Sequence, residues 1–183
     1  MNGFMFYMDA GGPVMWVILL MSVLGAAIVI ERLAFFALAS RRLPNFGELA
    51  PLGTALQDVA PDALQILAER TIRADVFEWR RRLPALALII KAAPMLGLLG
   101  TVLGMVRMFG VLSQGGAIDA PAVTGGIREA LFTTVAGLCC AVPLLVVQGF
   151  LSSKADAREE ALEAAADEWL RKELLKGAGA GHR

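Results

Sequence analysis

The sequence predicts an all-α membrane protein with three transmembrane helices and helical cytoplasmic extensions. Hydrophobic residues make up 57% of its 183 residues and charged residues only 19%, with a mean hydropathy of +0.63. A soluble domain is nearer half apolar and a quarter charged. Three stretches are almost free of charge, and each reaches the roughly 20 residues that a helix needs to cross a bilayer.

The distribution of basic residues predicts how the chain crosses the membrane. None of the 17 Lys and Arg residues lies in 1–13 or 113–126, whereas nine lie in 31–91 and six in 152–183. The positive-inside rule therefore predicts that the N-terminus faces out, which in a bacterium means the periplasm, and that the long loop and the C-terminus face the cytoplasm. In chain order the predicted segments are a periplasmic N-terminus 1–13, a first span 14–30, a cytoplasmic loop 31–91, a second span 92–112, a periplasmic connection 113–126, a third span 127–151, and a cytoplasmic helix and tail 152–183.

The charged segments outside the spans are predicted to be mainly helical. Pro and Gly residues indicate a loop over 40–61, and Pro61-Asp62 is a plausible start for a helix over 61–82. A second helix is predicted over 154–176, ending in a frayed tail at the Gly-rich run 177–181. Its narrow apolar stripe consists of Leu162, Ala166, Trp169 and Leu170. Such a stripe requires a neighbour, for which a second copy of the chain is the first candidate.

Charge and composition disfavour several classes of function. The formal net charge is zero, which disfavours a nucleic-acid role through bulk charge. The two cysteines are adjacent, at Cys139 and Cys140, and the one histidine is His182. These residues form neither a disulfide framework nor a metal-binding pattern, and no nucleophile–base pair or phosphate loop accompanies them. We therefore predict no catalytic residue, no metal site and no cofactor.

Small residues recur four positions apart in the second and third spans. Gly97, Gly100 and Gly104 follow one another along the second span, and Gly137 lies in the third. Residues at this spacing lie one turn apart on a single helix face and allow two backbones to approach closely. The pattern predicts close packing of these two spans against each other.

Polar groups at membrane depth are the first candidates for function, because burying them there is costly. Thr101 and Thr134 both fall in the middle or outer half of the bilayer, where two hydroxyls can line a polar seam. The alternative remains open that each hydroxyl only bonds back to its own helix. Glu129 lies at the outer mouth of the third span beside Arg128, either as an interfacial charge or at a pore entrance. No Asp, Glu, Lys or His lies at mid-membrane, so a proton path needs a carboxylate from a second polypeptide.

Two long motifs resemble those of the MotA/TolQ/ExbB proton-channel family. The run APMLGLLGTVLGM over 93–105 is similar to the family's second-span signature, and EALFTTVAGL over 129–138, followed by Ala-Val-Pro at 141–143, to its third-span signature. Glu-Arg-Leu at 31–33 resembles the end of its first span, and Gly-Gly-Pro at 11–13 the start of its shorter ExbB-type members. The resemblance covers all three spans in order.

The resemblance implies a homo-oligomer in the bacterial inner membrane, a pentamer in ExbB-type members, around the span of an ExbD/TolR-like single-span protein that carries a protonatable Asp. Thr101 and Thr134 match the family's pore-lining threonines, Glu129 its third-span glutamate, and Pro94 and Pro143 its structural prolines. Such complexes use the proton-motive force to drive a periplasm-spanning protein, TonB in ExbB systems.

The function that follows is a proton-channel subunit of an ExbB-ExbD-TonB-like complex that powers outer-membrane uptake. The loop 31–91 is shorter than in typical ExbB or TolQ proteins, which favours a compact ExbB-type subunit. Two alternatives stay open: a TolQ-like subunit of the Tol–Pal envelope system, and a non-conducting membrane scaffold.

Overall fold

A computed structural model describes Met8 and residues 11–39, 61–112 and 120–180 of the chain. Four helices make up these residues: α1 (Gly12–Ala39), α2 (Pro61–Arg80), α3 (Leu83–Leu112) and α4 (Ala120–Ala180). The predicted loop over 40–60 and the start of the predicted connection, 113–119, lie outside the described residues. The described part of the chain is helical, as predicted.

Three stretches are long and apolar enough to cross a membrane, which confirms the predicted number of spans. They lie within Gly12–Leu38, Gln65–Gly110 and Thr124–Lys172. The helices extend beyond the predicted spans, because hydropathy detects only the apolar part of a longer helix. Helix α1 continues to Ala39, and α4 begins at Ala120, inside the predicted connection.

One compact unit contains residues 1–32 and 82–149. Its core is formed by one face each of α1, α3 and α4, and its buried members are Val14, Ile18, Leu86, Ile89, Ile90, Ala93, Cys140, Ala141 and Leu144. Helix α1 therefore contributes an inward face as well as an outward one. Outward side chains such as Trp16, Leu98 and Val146 are more than half exposed within the chain, as expected for surfaces that meet lipid or other subunits.

An ion-pair cluster lies where α1 leaves this unit and α3 begins. Arg82 adopts a left-handed φ of 67° between α2 and α3, and its guanidinium donates to Glu31. Arg32 is buried and lies 3.3 Å from Glu31. The Glu-Arg pair of the first-span motif thus contacts, through Glu31, the residue that immediately precedes the second apolar helix.

The second unit contains residues 33–81 and 150–183. Here α2 packs against the second half of α4, and Ala68 and Val76 of α2 share a buried cluster with Leu162 and Ala166. Trp169 and Leu170 pack against its edge. The prediction that a second copy of the chain packs against the α4 stripe is therefore wrong for these residues, because α2 of the same chain packs there. Small and β-branched residues four apart on α2 supply an apolar face within the same chain.

Polar contacts align α2 with α4 in this unit. Arg158 Nε donates to Asp75 over 3.1 Å, and the Arg158 guanidinium lies 5.1 Å from the centre of the Trp79 ring. Arg80 Nη2 contacts Asp156 at 2.8 Å and Glu159 at 2.6 Å. Helix α4 itself continues to Ala180, through the glycines that were predicted to end it.

Candidate functional site

Helices α3 and α4 approach each other so closely that their backbones touch. A methyl group at Gly97 would lie 2.9 Å from the carbonyl oxygen of Thr133, and one at Gly137 would lie 2.6 Å from that of Ala93. At Gly104 the nearest atom would be the Gly126 carbonyl oxygen, at 3.0 Å. Any larger side chain at these positions would push the helices apart. We call this contact between α3 and α4, from Ala93/Gly137 to Gly104/Gly126, the glycine seam.

Thr133 fills the middle of the glycine seam. Its side chain is fully buried, and a methyl group at Gly100 would come within 2.5 Å of its Cβ. Its hydroxyl donates within α4, to the carbonyls of Ala130 at 2.9 Å and Glu129 at 3.2 Å. Because its own helix satisfies the hydroxyl, Thr133 packs the seam without an unpaired polar atom.

The two predicted threonines, Thr101 on α3 and Thr134 on α4, both donate to carbonyls in one turn of α3. Thr134 of α4 donates across the seam to the carbonyl of Gly97 over 3.4 Å. Thr101 donates to the next carbonyl, that of Leu98 in its own helix, over 2.7 Å, which is the local back-bond that the sequence left open as the alternative for this hydroxyl. Both side chains are only partly buried. The hydroxyls of Thr101 and Thr134 are thus directed to two adjacent carbonyls of α3, and they make one polar spot on an otherwise apolar helix pair.

Glu129 pairs with an arginine of α3. Arg107 Nη1 donates to Glu129 Oε1 over 2.6 Å, and the Glu129 side chain is 17% exposed against 52% for that of Arg107. Gly12, at the start of α1, lies against both groups. The carboxylate therefore marks the end of the first unit where α1 and α4 begin and α3 ends, which we call the Arg107 end.

Both motif prolines lie inside continuous helices. Pro94 is in α3 and Pro143 in α4. A proline has no N–H to donate, so each leaves a carbonyl one turn earlier, at Ile90 and Cys139, without its usual helical donor. In the part of the chain that the structure describes, no group of three or more His, Cys, Asp or Glu side chains could hold a metal ion.

The structure brings the predicted site residues together on one helix pair and adds two residues. The glycines and Thr134 lie on the α3–α4 contact, and Glu129 lies one turn of α4 from Thr133 at the seam's centre. Sequence reasoning missed the seam role of Thr133 and the pairing of Glu129 with Arg107. Thr133 carried a signal, since it lies four residues before Gly137 and continues the small-residue spacing. The Arg107 pair carried none, because the two residues lie 22 positions apart on different helices.

Comparison with known families shows which family the chain resembles over most of its length. The model of the MotA/TolQ/ExbB proton channel family matches residues 48–164. This range includes the whole glycine seam, both threonines, and Arg107 with Glu129.

Individual relatives carry biopolymer-transport and Tol–Pal names. The ExbB-like 3 biopolymer transport protein of Synechocystis sp. is 33% identical over 166 residues, which cover 75% of this chain and 79% of that protein. The biopolymer transport protein ExbB of Aquifex aeolicus is 29% identical over 82% of this chain and 83% of its own. The Tol–Pal system protein TolQ of Haemophilus influenzae is 33% identical over 57% of this chain, but this match spans only 49% of TolQ.

Proposed function

Because the chain belongs to the MotA/TolQ/ExbB proton channel family, we propose that it is the channel-forming subunit of an ExbB-type energy-transducing complex. In this proposal several copies, five as in ExbB-type members, surround the span of an ExbD/TolR-like protein. The complex uses the proton-motive force to drive a TonB-like protein and so to power uptake through the outer membrane. The long matches to ExbB-named proteins support this assignment over the other systems of the family.

We propose that the chain lies in the bacterial inner membrane with its Arg107 end toward the periplasm. The basic residues support this orientation, since nine of 17 lie in 31–91 and six in 152–183. The predicted boundaries of the three spans, at 14–30, 92–112 and 127–151, are part of the same proposal. The second unit, in which α2 packs against α4, would then lie in the cytoplasm.

The observation that carries the proposal is the convergence of Thr101 and Thr134 on adjacent carbonyls of α3. A threonine hydroxyl that donates to a backbone carbonyl can still accept a hydrogen bond from a water or a protonated carboxyl group without changing its own charge. The glycine seam holds the two helices rigidly enough to keep both hydroxyls at one depth. The seam residues thus provide a fixed polar surface for a proton carrier.

The proton carrier itself is proposed to come from the partner. Residues 13–30, 92–106 and 130–153 contain no Asp, Glu, Lys or His. A hydroxyl does not titrate near neutral pH, whereas a carboxyl group does. An aspartate on the span of the ExbD/TolR-like protein, held at the depth of Thr101 and Thr134, would bind and release the proton.

Removing each hydroxyl while keeping its shape tests the proposal. We expect Thr101→Val and Thr134→Val each to lower proton flux through the complex in liposomes by roughly tenfold, since each change deletes a hydrogen bond next to the titrating group. Thr71→Val is the matched control: its hydroxyl also bonds back to a carbonyl one turn earlier, that of Leu67 at 2.9 Å, but it lies on α2. Unchanged flux in the Thr101→Val/Thr134→Val double variant would contradict the seam assignment.

A second candidate is a TolQ-like subunit, supported by the 33% identity to TolQ of H. influenzae. The two candidates share the seam and the proton path, and differ in the protein that is driven. Co-purification separates them: an ExbB-type subunit retains a TonB-like protein, and a TolQ-like subunit retains a Tol–Pal component. A non-conducting scaffold would retain partners but show no flux with any of the threonine variants or the unaltered chain.

A further inference from the structure

The carboxylate of Glu129 is held on two sides by parts of the chain far from it in sequence. Arg107 Nη1, on α3, lies 2.6 Å from Glu129 Oε1. The Glu129 side chain is only 17% exposed, so most of its surface is enclosed by this chain. A short charge-assisted hydrogen bond of this kind fixes a carboxylate in place as well as balancing its charge.

The second contact is with the backbone of α1. Gly12 has a left-handed φ of +63°, and a Cβ placed on it would collide with Glu129 Oε1 and lie 3.1 Å from Arg107 Nη1. Glycine adopts this conformation without strain, and its lack of a side chain leaves the space that the carboxylate fills. The ion pair therefore ties the starts of α1 and α4 to the end of α3.

The same residue is connected to the glycine seam. The backbone carbonyl of Glu129 accepts from the Thr133 hydroxyl over 3.2 Å, and Thr133 in turn packs against Gly100. A displacement of Glu129 by a side-chain rotation leaves this contact intact. A displacement of the α4 backbone at Glu129 would move Thr133, and with it the neighbouring Thr134.

We propose that Arg107 is a positioning residue for Glu129: it pins the Glu129 carboxylate against Gly12 and so fixes the geometry of the channel mouth at the Arg107 end. This inference rests on the proposed function for its effect on proton flux, but not for the placement of the carboxylate. Arg107 acts through Glu129 and does not itself contact the proton carrier.

The placement is tested by chemical access to Glu129. The purified complex is treated with a water-soluble carbodiimide and glycine ethyl ester, and modification of Glu129 is followed by peptide mass spectrometry. We expect Arg107→Gln to raise the modification rate at Glu129 severalfold, and Arg107→Lys, which keeps a positive donor, to stay near the unaltered rate. Gly12→Ala should also raise it, because the added methyl group displaces the carboxylate. Arg73→Gln, which removes one positive charge from an exposed pair with Glu69 in the other unit, is the control for net charge.

The consequence for transport is tested by a double-mutant cycle. We expect Arg107→Gln to lower proton flux by about threefold, the ratio that corresponds to the coupling of a half-exposed ion pair. If Arg107 acts only through Glu129, the double variant Arg107→Gln/Glu129→Gln loses no more flux than Glu129→Gln alone. Losses that multiply, or a modification rate that Arg107→Gln leaves unchanged, would overturn the inference.

The two proposals fail in different ways. If the unaltered complex conducts and Thr134→Val abolishes flux while Arg107→Gln changes neither flux nor modification, only the role of Arg107 is wrong. If the unaltered complex does not conduct, the proposed function is wrong, and the modification rates alone decide whether Arg107 holds Glu129. Native mass of each variant complex, compared with the unaltered one, identifies a variant that fails to assemble. Gly12→Ala, which is also expected to raise the modification rate at Glu129, then decides the outcome in place of Arg107→Gln.

Discussion

At Gly100 the two central helices leave no room for even one methyl group. Gly100→Ala would bring a Cβ within 2.5 Å of the Cβ of the buried Thr133. Overpacking of this kind costs about 1–3 kcal/mol, so we expect a clear fall in the thermal midpoint of the detergent-solubilised protein. Gly110→Ala is the matched control on the same helix, since a Cβ there would meet nothing within 4 Å. It should be neutral or stabilise by up to about 1 kcal/mol, through helix propensity alone.

The contrary result would be equal thermal midpoints for Gly100→Ala and Gly110→Ala. Helix propensity would then explain both changes, and α3 and α4 would not be in backbone contact at Gly100. A smaller residue at position 133 provides a further check. Thr133→Ala in the Gly100→Ala background should recover part of the loss, because it removes two of the three atoms that the new methyl group meets.

Individual contacts were only partly predictable at this scale. The spacing of Gly97, Gly100 and Gly104 was enough to identify the face of the helix that packs closely. It was not enough to show that Thr133, rather than Thr134, is the residue under Gly100, because neighbouring residues on a helix differ by about 100° and only the rotation of α4 decides between them. The Arg107–Glu129 pair was unpredictable for the same reason: it depends on the relative depth of two helices.

The packing of α2 against α4 depends on a short apolar stripe. Leu162 is fully buried there, among Ala68, Val76 and Ala166. Leu162→Ala should lower the stability of this unit by about 2–5 kcal/mol, the cost of a buried leucine with its cavity. Leu175→Ala, on the same helix but 65% exposed, should change it by less than about 0.5 kcal/mol. Limited proteolysis of the solubilised protein, with cleavage mapped to α2, measures the difference.

Equal protection of α2 in the Leu162→Ala and Leu175→Ala variants would show that the apolar stripe does not hold α2. The ion pairs from Arg80 to Asp156 and Glu159 would then be the main contact, and protection would fall steeply with added salt. An apolar contact responds little to salt. Measuring the protection of α2 from proteolysis at increasing salt concentration therefore distinguishes the two explanations.

Elements were predicted more completely than their ends. Runs without charge and a one-sided distribution of Lys and Arg predicted the three apolar helices, because lipid imposes both length and composition on a span. The ends were less accessible: α4 begins at Ala120 and continues to Ala180, through glycines that favour a helix end on propensity alone. The neighbour of the Leu162 stripe was assigned to another copy, because the face formed by Ala68, Ile72 and Val76 is too small to stand out in the sequence.

At the scale of the whole molecule, the central claim is a division of labour. This chain provides a rigid pair of helices with two hydroxyls at one depth, and the partner provides the group that titrates. In the same proposal Glu129, which pairs with Arg107, acts at the channel mouth and not as the central relay. The ExbB-like relatives and the family match place the chain among proton channels, but the division of labour itself rests on which side chains lie in the spans.

The most direct test is proton flux in liposomes with four preparations: the chain with an ExbD/TolR-like protein of the same genome, the same complex with the partner's span aspartate changed to asparagine, the complex with Glu129→Gln, and the chain alone. We expect flux in the first, none in the second or fourth, and a reduced but measurable flux in the third. Equal and complete losses in the second and third would move Glu129 to the central relay. Flux through the chain alone, or none in the intact complex, would contradict the division of labour.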